Sequence, residues 1–207
     1  MDLELIAAPL LAFLAGYALG AIPFGVLLTR LTGAGDLRTI GSGNIGATNV
    51  LRTGRKGLAA ATLLLDIVKG TAALAVASLL FPEHISFAAF GAFIGHLYPV
   101  WLKFAGGKGV ATYFGLILGY CILGALHWWV AAIYAGLWVG TLALTRYSSV
   151  AGMTAALLSP AAAAVSGRFD LALLFLGFGL ILFWKHRANL ERLLAGTEPQ
   201  VGGRKDG

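Results

Sequence analysis

Two long apolar stretches leave this 207-residue chain few ways to fold. From Leu3 to Leu28 the only charged residue is Glu4, and from Val110 to Thr145 there is no Asp, Glu, Lys or Arg at all. A backbone in hydrocarbon must satisfy its own N–H and C=O groups, which leaves helices or a closed barrel. The runs are continuously apolar rather than alternating, so helices are expected. At about 20 residues per crossing, the chain divides into seven candidate spans: Leu3–Leu28, Leu58–Leu80, Ile85–Leu102, Val110–Ala125, Trp128–Leu144, Val150–Val165 and Phe169–Trp184. The fourth and fifth come from one run too long for a single helix. It is split at Gly124–Trp129, where His127, Trp128 and Trp129 suit the headgroup region. With 58% hydrophobic and 12% charged residues, an ordinary soluble domain is excluded. The expectation is an all-α polytopic membrane protein, a compact bundle of seven transmembrane helices forming a single domain over residues 1–207.

The basic residues orient the bundle. All but two of the 15 lysines and arginines fall in the first, third and fifth loops and the tail. The exceptions are Arg168, on the other face, and Lys69, inside a span. The positive-inside rule then puts the N-terminus outside and the C-terminus inside, with the odd loops in the cytoplasm. The charge of +6 follows the membrane and not a nucleic acid. The opening Met-Asp-Leu-Glu is acidic where a signal peptide needs positive charge, so the first run is expected to be retained. Cys121 is the one cysteine, which excludes an internal disulfide or a cysteine metal cluster. Gly-x-x-x-Gly pairs at Gly16/Gly20, Gly91/Gly95, Gly115/Gly119 and Gly136/Gly140 permit close helix approach in lipid. Packing within one bundle is expected of them, and no obligate protein partner is implied. No internal repeat of the inverted-transporter kind is visible.

Three polar constellations interrupt the apolar pattern. The loop Phe104–Thr112 holds Gly106, Gly107, Lys108, Gly109, Val110, Ala111 and Thr112. Glycine backbones can converge their N–H groups on an anion, and a helix starting near Val110 aims its positive dipole end at the same point. Lys108 adds a full charge and Thr112 a hydroxyl. The alternative is a tight interhelical turn whose lysine anchors the interface. It is not a Walker A loop, because Gly109 and not Ser or Thr follows Lys108. The first loop carries Ser42, Asn44, Thr48, Asn49 and Arg52 between glycines: small hydrogen-bonding groups plus a guanidinium fork that suits phosphate. A flexible basic loop is the alternative there. The tail presents His186, Arg187, Asn189 and Arg192, then Thr197 and Glu198. Its alternative is a basic amphipathic tail on anionic lipid. His186 followed by Glu191 only faintly resembles a His-x4-Asp box.

Asp66 and Lys69 lie three apart inside the second span, where ionisable groups are costly and face the bundle interior. A structural ion pair supporting the pocket is expected, with direct substrate contact as the alternative. His96, near the cytoplasmic end of the third span, takes a supporting role, as does Glu198. By the charge-derived topology, all three constellations lie on the cytoplasmic face.

In this order, Gly-Ser-Gly-Asn-Ile-Gly-Ala-Thr-Asn-Val-Leu-Arg, Gly-Gly-Lys-Gly-Val-Ala-Thr and Lys-His-Arg-x-Asn-x-x-Arg resemble the bacterial acyl-phosphate:glycerol-3-phosphate acyltransferases. The likeness spans nearly the whole chain, including Asp66, Lys69, Gly70 and Gly95-His96. It implies a multi-pass enzyme of the bacterial inner membrane with cytoplasmic active-site loops. Such an enzyme moves a fatty acyl chain from acyl phosphate to the 1-hydroxyl of glycerol 3-phosphate, with no cofactor and no metal. It implies that Ser42 and Arg52 bind glycerol 3-phosphate, that Lys108 binds phosphate, and that His186 and Asn189 close the pocket. Lys108 and His186 are the catalytic candidates. The amides of Gly106 to Thr112 would hold the acyl-phosphate head.

Acyl transfer to an alcohol needs a fate for the hydroxyl proton. No Ser-His-Asp or Cys-His pattern occurs, and His186 is the one side-chain base in reach of the motifs. Because phosphate is a good leaving group, one of its oxygens is the favoured acceptor, with the enzyme supplying position and charge. The rival class, a small anion or phosphate transporter, needs polar groups along a path to the outer face. That half of the chain is nearly bare of them.

Overall fold

The structure, a computed structural model, describes residues 3–202. Met1 and Asp2, and Arg204 and Lys205 of the tail, lie outside the described residues. The described residues form ten α-helices and short 3-10 turns, with no strand among them. The chain divides into two compact units, Met1–Ala125 and Leu126–Gly207.

The first unit contains α1 (Leu3–Gly20), α2 (Phe24–Leu31), α3 (Ala47–Leu51), α4 (Lys56–Leu80), α5 (Ile85–Leu97) and α6 (Val110–Ile122). Three of the four Gly-x-x-x-Gly pairs do their work here. Gly16 and Gly20 of α1 lie against the backbone of Ala88 and Ala92, while Gly91 and Gly95 of α5 lie against Phe13 and Tyr17. The two pairs therefore face each other, and any Cβ would strike the opposing main chain. Gly115 of α6 meets Ile67 of α4 in the same way, and Gly70 of α4 meets the Thr112 carbonyl, 2.6 Å from where its Cβ would stand. Lipid gives no hydrophobic drive between helices, so this backbone-level fit and its dispersion contacts hold the unit together.

The expected first span, Leu3–Leu28, corresponds to one apolar stretch, Ile6–Leu31, long enough to cross a bilayer, and the helix within it is interrupted. Helix α1 stops at Gly20, and α2 restarts at Phe24 after Pro23. Proline has no N–H to continue the ladder. The carbonyls at the break find other donors: Ala21 O accepts from Trp101 Nε1 at 2.6 Å, and Ile22 O from Lys69 Nζ at 2.9 Å.

The second unit contains α7 (Trp128–Thr145), α8 (Ser148–Val165), α9 (Phe169–Lys185) and α10 (Arg187–Leu194). Helix α7 packs on α8, and α8 on α9. Pro160 sits inside α8 without ending it. The N–H that would reach the Ala156 carbonyl is missing at Pro160, and that carbonyl instead lies against Gly179 of α9, 2.7 Å from where a Cβ would stand. The fourth pair, Gly136/Gly140 on α7, meets nothing within 4 Å.

Five stretches are long and apolar enough to cross a bilayer, and six if α9 and α10, bent by 54°, count as one. Helix α6 falls short of that length, with 13 residues. The run that contains it does divide where expected: Gly124 adopts a left-handed φ of 69° and ends α6, and α7 begins at Trp128.

Candidate active site

Loop 1, between α2 and α4, is folded over its own small core. Leu37, Ile45 and Val50 are buried with Val26 of α2 and Ala59 of α4. These apolar anchors alternate with the polar series and fix which side chains face outward. Asn49 is the internal staple. Its Nδ2 donates to Leu37 O at 3.0 Å and Ile40 O at 2.8 Å, while its Oδ1 accepts from Ser42 N and Arg52 Nη1, both at 3.2 Å. Its amide is thus committed to holding Ser42 and Arg52 in place. Gly41 is left-handed, with φ 54°, and a Cβ there would come within 2.6 Å of Asn49 Oδ1. Ser42 is exposed, and Asn44, Thr48 and Arg52 are half-buried. At the loop's entrance Asp36 accepts from the main chain and guanidinium of Arg38. The Arg38 hydrogen bonds hold the Asp36 carboxyl far below its ordinary range.

The glycine loop lies between the 3-10 turn Val100–Leu102 and α6. Its glycines serve two different purposes. Gly109 caps α6 with φ 89°, packed against Phe93 and Leu97. Gly106 and Gly107 are not left-handed. They are needed for close approach, Gly106 to the His96 carbonyl and Gly107 to the His96 ring. The left-handed turn that brings the chain in is made by two non-glycine residues, Lys103 (φ 51°) and Phe104 (φ 63°). Side chains pay for that conformation, and nothing in the residue types announced it. Lys108 is half-buried, as are Val110 and Ala111 in the first turn of α6. Thr112 is completely buried, and its Oγ1 has no hydrogen-bond partner among the described residues.

Behind this loop stands the intramembrane ion pair. Lys69 Nζ lies 2.6 Å from Asp66 Oδ1, and His96 Nδ1 lies 3.8 Å from the same oxygen. All three side chains are buried. The expected pair is present, and His96 joins it from α5.

In the second unit, His186 forms the junction of α9 and α10 and is buried. Its Nδ1 lies 2.8 Å from Leu182 O. A carbonyl only accepts, so Nδ1 carries the hydrogen in this contact. Asn189 is buried one turn on, and its Nδ2 donates to Glu198 Oε1 at 2.6 Å. Ser149 Oγ donates to the same oxygen at 2.7 Å, and Arg192 Nε to Oε2 at 2.7 Å. Burial pushes the Glu198 carboxyl up, but the hydrogen bonds from Asn189, Ser149 and Arg192 outweigh it and hold the group below its ordinary range. Glu191 is exposed, so the carboxylate that the tail brings to Asn189 is Glu198. No motif in the sequence points to Ser149. Its one signal is a hydroxyl in the first turn of a helix, three residues after basic Arg146, whose carbonyl accepts from Val201 N at 2.8 Å.

Each unit therefore carries phosphate-compatible groups on a rigid frame: Ser42, Arg52 and the Gly106–Thr112 loop in the first, His186, Asn189 and Arg192 in the second. The family model described as glycerol-3-phosphate acyltransferase matches residues 10–196. A protein called glycerol-3-phosphate acyltransferase from Mesorhizobium japonicum is 56% identical over 195 residues, covering 94% of this chain and 97% of its own. One of the same name from Rhodopseudomonas palustris strain HaA2 is 54% identical over 202 residues, covering 97% and 100%. Among solved structures, the chain is similar to the glycerol 3-phosphate form of PlsY (YgiH), an integral membrane glycerol 3-phosphate acyltransferase. The TM-score is 0.84 at 33% identity, over 94% of this chain and 96% of that one. The lysophosphatidic acid form of the same enzyme matches with a TM-score of 0.81 at 32% identity, over 94% and 95%.

Proposed function

The chain belongs to the glycerol-3-phosphate acyltransferase family, and from that premise we propose that it acylates the 1-hydroxyl of glycerol 3-phosphate, using acyl phosphate as donor. The observation that carries the reading is the match over residues 10–196, which takes in both loops and the tail motif through Arg192. The donor assignment is supported by phosphate-binding elements in more than one loop with no nucleotide-binding pattern in the chain.

In this reading Gly106–Thr112 and Lys108 hold the acyl-phosphate head, with the α6 dipole directed at it. Ser42, Asn44, Thr48 and Arg52 bind glycerol 3-phosphate, and Asn49 supports them by fixing the loop. His186 and Asn189 orient the acceptor, and Glu198 secures Asn189. The acceptor oxygen bonds to the acyl carbonyl carbon, the bond from that carbon to the phosphate oxygen breaks, and the departing phosphate takes the hydroxyl proton. Lysophosphatidic acid and phosphate leave. Lys108 and the loop amides stabilise the charge that develops in this step. The protein is placed in the bacterial inner membrane, with seven spans counting α6 as a short one. In this reading its N-terminus is outside, and its first, third and fifth loops and its tail are cytoplasmic.

The test is direct. Purified protein is supplied with glycerol 3-phosphate and either acyl phosphate or acyl-CoA, and lysophosphatidic acid is followed. Product with acyl phosphate alone is expected; equal rates with acyl-CoA remove the donor assignment.

A further inference from the structure

The chain enters the glycine loop through a strained turn. Lys103 and Phe104 are consecutive residues with side chains, at left-handed φ of 51° and 63°. Such a pair persists only where its surroundings over-determine it. Here the backbone is closely bonded. Pro99 O accepts from Leu102 N at 3.1 Å and from Phe104 N at 3.0 Å. Val100 O accepts from Lys103 N, and Leu102 O from Ala105 N, both at 3.0 Å. Gly107 N then donates to His96 O at 3.0 Å. Residues 99–107 thus move as one piece, fastened at its start to α1 where Tyr17 Oη donates to Tyr98 O at 2.7 Å.

The side chains of the same turn reach loop 1. Trp101 Nε1 donates to Ala21 O at 2.6 Å, at the break from which α2 departs. Leu102, the next residue, packs against the buried core of loop 1, formed by Val26, Leu37, Ile45, Val50 and Ala59. Helix α2 is bound to that core: Val26 belongs to it, and Gly25 lies so close to the Ile45 carbonyl that a Cβ would collide. Two adjacent residues therefore hold one body, the body that carries Ser42 and Arg52 through Asn49. Trp101 is 54% exposed. Its ring buries little, so its N–H is what it contributes.

We propose that the turn over residues 99–104 is the register element between the two candidate substrate loops, with Trp101 and Leu102 as its positioning residues. The left-handed pair aims residues 106–108, and the two side chains fix that aim relative to Ser42 and Arg52. Neither side chain touches substrate. The inference rests on reading loop 1 and residues 106–108 as parts of one substrate site, whichever group each of them holds. Every contact in it lies within the first unit.

The experiment uses the full-length protein in detergent and begins at Lys103. Lys103→Asn, Lys103→Gly and Lys103→Val all remove the ammonium, but only valine resists a left-handed φ. The first two should keep kcat/KM within about threefold of wild type, and the valine variant should lose about tenfold or more, since misplacement near 1 Å costs up to about a hundredfold. Equal losses in all three would overturn the proposal, because the charge and not the turn would then matter. Hydrogen exchange gives a readout besides activity. Val50→Ala leaves a gap in the loop 1 core, and through Leu102 it should speed exchange of residues 103–107 by about fivefold or more. In a Leu102→Ala background, where that exchange is already fast, adding Val50→Ala should change it by less than about twofold. Where Leu102→Ala does not fold, Leu102→Val carries the same comparison. Trp101→Phe keeps a ring without the donor; it should speed exchange in loop 1 and in residues 103–107 together, with α7, α8 and α9 unchanged. A rise confined to one of the two loops, or residues 103–107 at wild-type rates in Val50→Ala, sinks the register role. Wild-type protein that makes no lysophosphatidic acid, yet shows this transmission between the loops, refutes the acyltransferase reading and leaves the inference standing.

Discussion

Lys69 Nζ, in the middle of α4, donates at 2.9 Å to the main-chain carbonyl of Ile22, a group that the break before Pro23 places outside the helical ladder. The ammonium thus joins two stretches 47 residues apart while neutralising Asp66. Lys69→Met should leave the buried carboxylate uncompensated and destabilise the protein by about 3–5 kcal/mol. Replacing both members with leucine should recover at least half of that loss in thermal unfolding in detergent. A double variant no better than the single would show that the pair is not the source of the cost.

Three of the glycine pairs should separate by experiment. Gly20→Ala and Gly91→Ala place a methyl against the main chain of Ala92 and Phe13, and each should cost about 1–3 kcal/mol through overpacking. Gly136→Ala on α7 meets open space, and should be neutral or stabilise by up to about 1 kcal/mol through helix propensity. Melting temperatures of the three variants, measured side by side, decide it.

Glu198 makes the tail's attachment pH-dependent. Its folded-state pKa is depressed by the donors Asn189, Ser149 and Arg192, against an ordinary value of 4.5. A depressed carboxylate contributes stability that is present above the unfolded value and lost as pH falls through the folded one. Protease cleavage within Gly196–Gly202 should therefore accelerate as pH drops below about 4.5. In Glu198→Gln the tail should be cut readily at neutral pH, with little further change on acidification. A wild-type cleavage rate that stays flat across that window would remove Glu198 as the anchor.

Lys108→Ala and His186→Ala should fail differently. Removing the lysine takes a charge from where transition-state charge is greatest, so kcat should fall steeply. Nδ1 of His186 is held 2.8 Å from the Leu182 carbonyl, which suits an orienting role. Its loss should raise the acceptor KM more than it lowers kcat. A positioned base contributes typically about 10²–10⁴-fold; collapse of kcat by that much at a normal acceptor KM would make His186 the base.

The topology is tested with tags. One at the C-terminus should be reachable only from the cytoplasm, and one at the N-terminus only from outside. Both on the same side would rule out seven spans.

Helix positions were legible in the sequence because hydrocarbon imposes a rule that composition must obey. Apolar runs bounded by Gly, Pro and charge became α4, α7, α8 and α9 to within a few residues of their expected ends. The same rule exposed Asp66 and Lys69 as a pair, since a lone charge there has no other solution. The break at Pro23 is not legible in the sequence, because a proline within an apolar run is compatible with either a break or a continuous helix, as Pro160 shows inside α8. Tertiary structure alone decides between them, through the Trp101 and Lys69 donors that take up the carbonyls of Ala21 and Ile22. It alone assigns Asn49 to the loop's interior, Ser149 to Glu198, and Gly106 and Gly107 to the space around His96. Residue type states what a side chain is able to bond, but which partner stands within 3 Å is settled by packing between segments far apart in the chain.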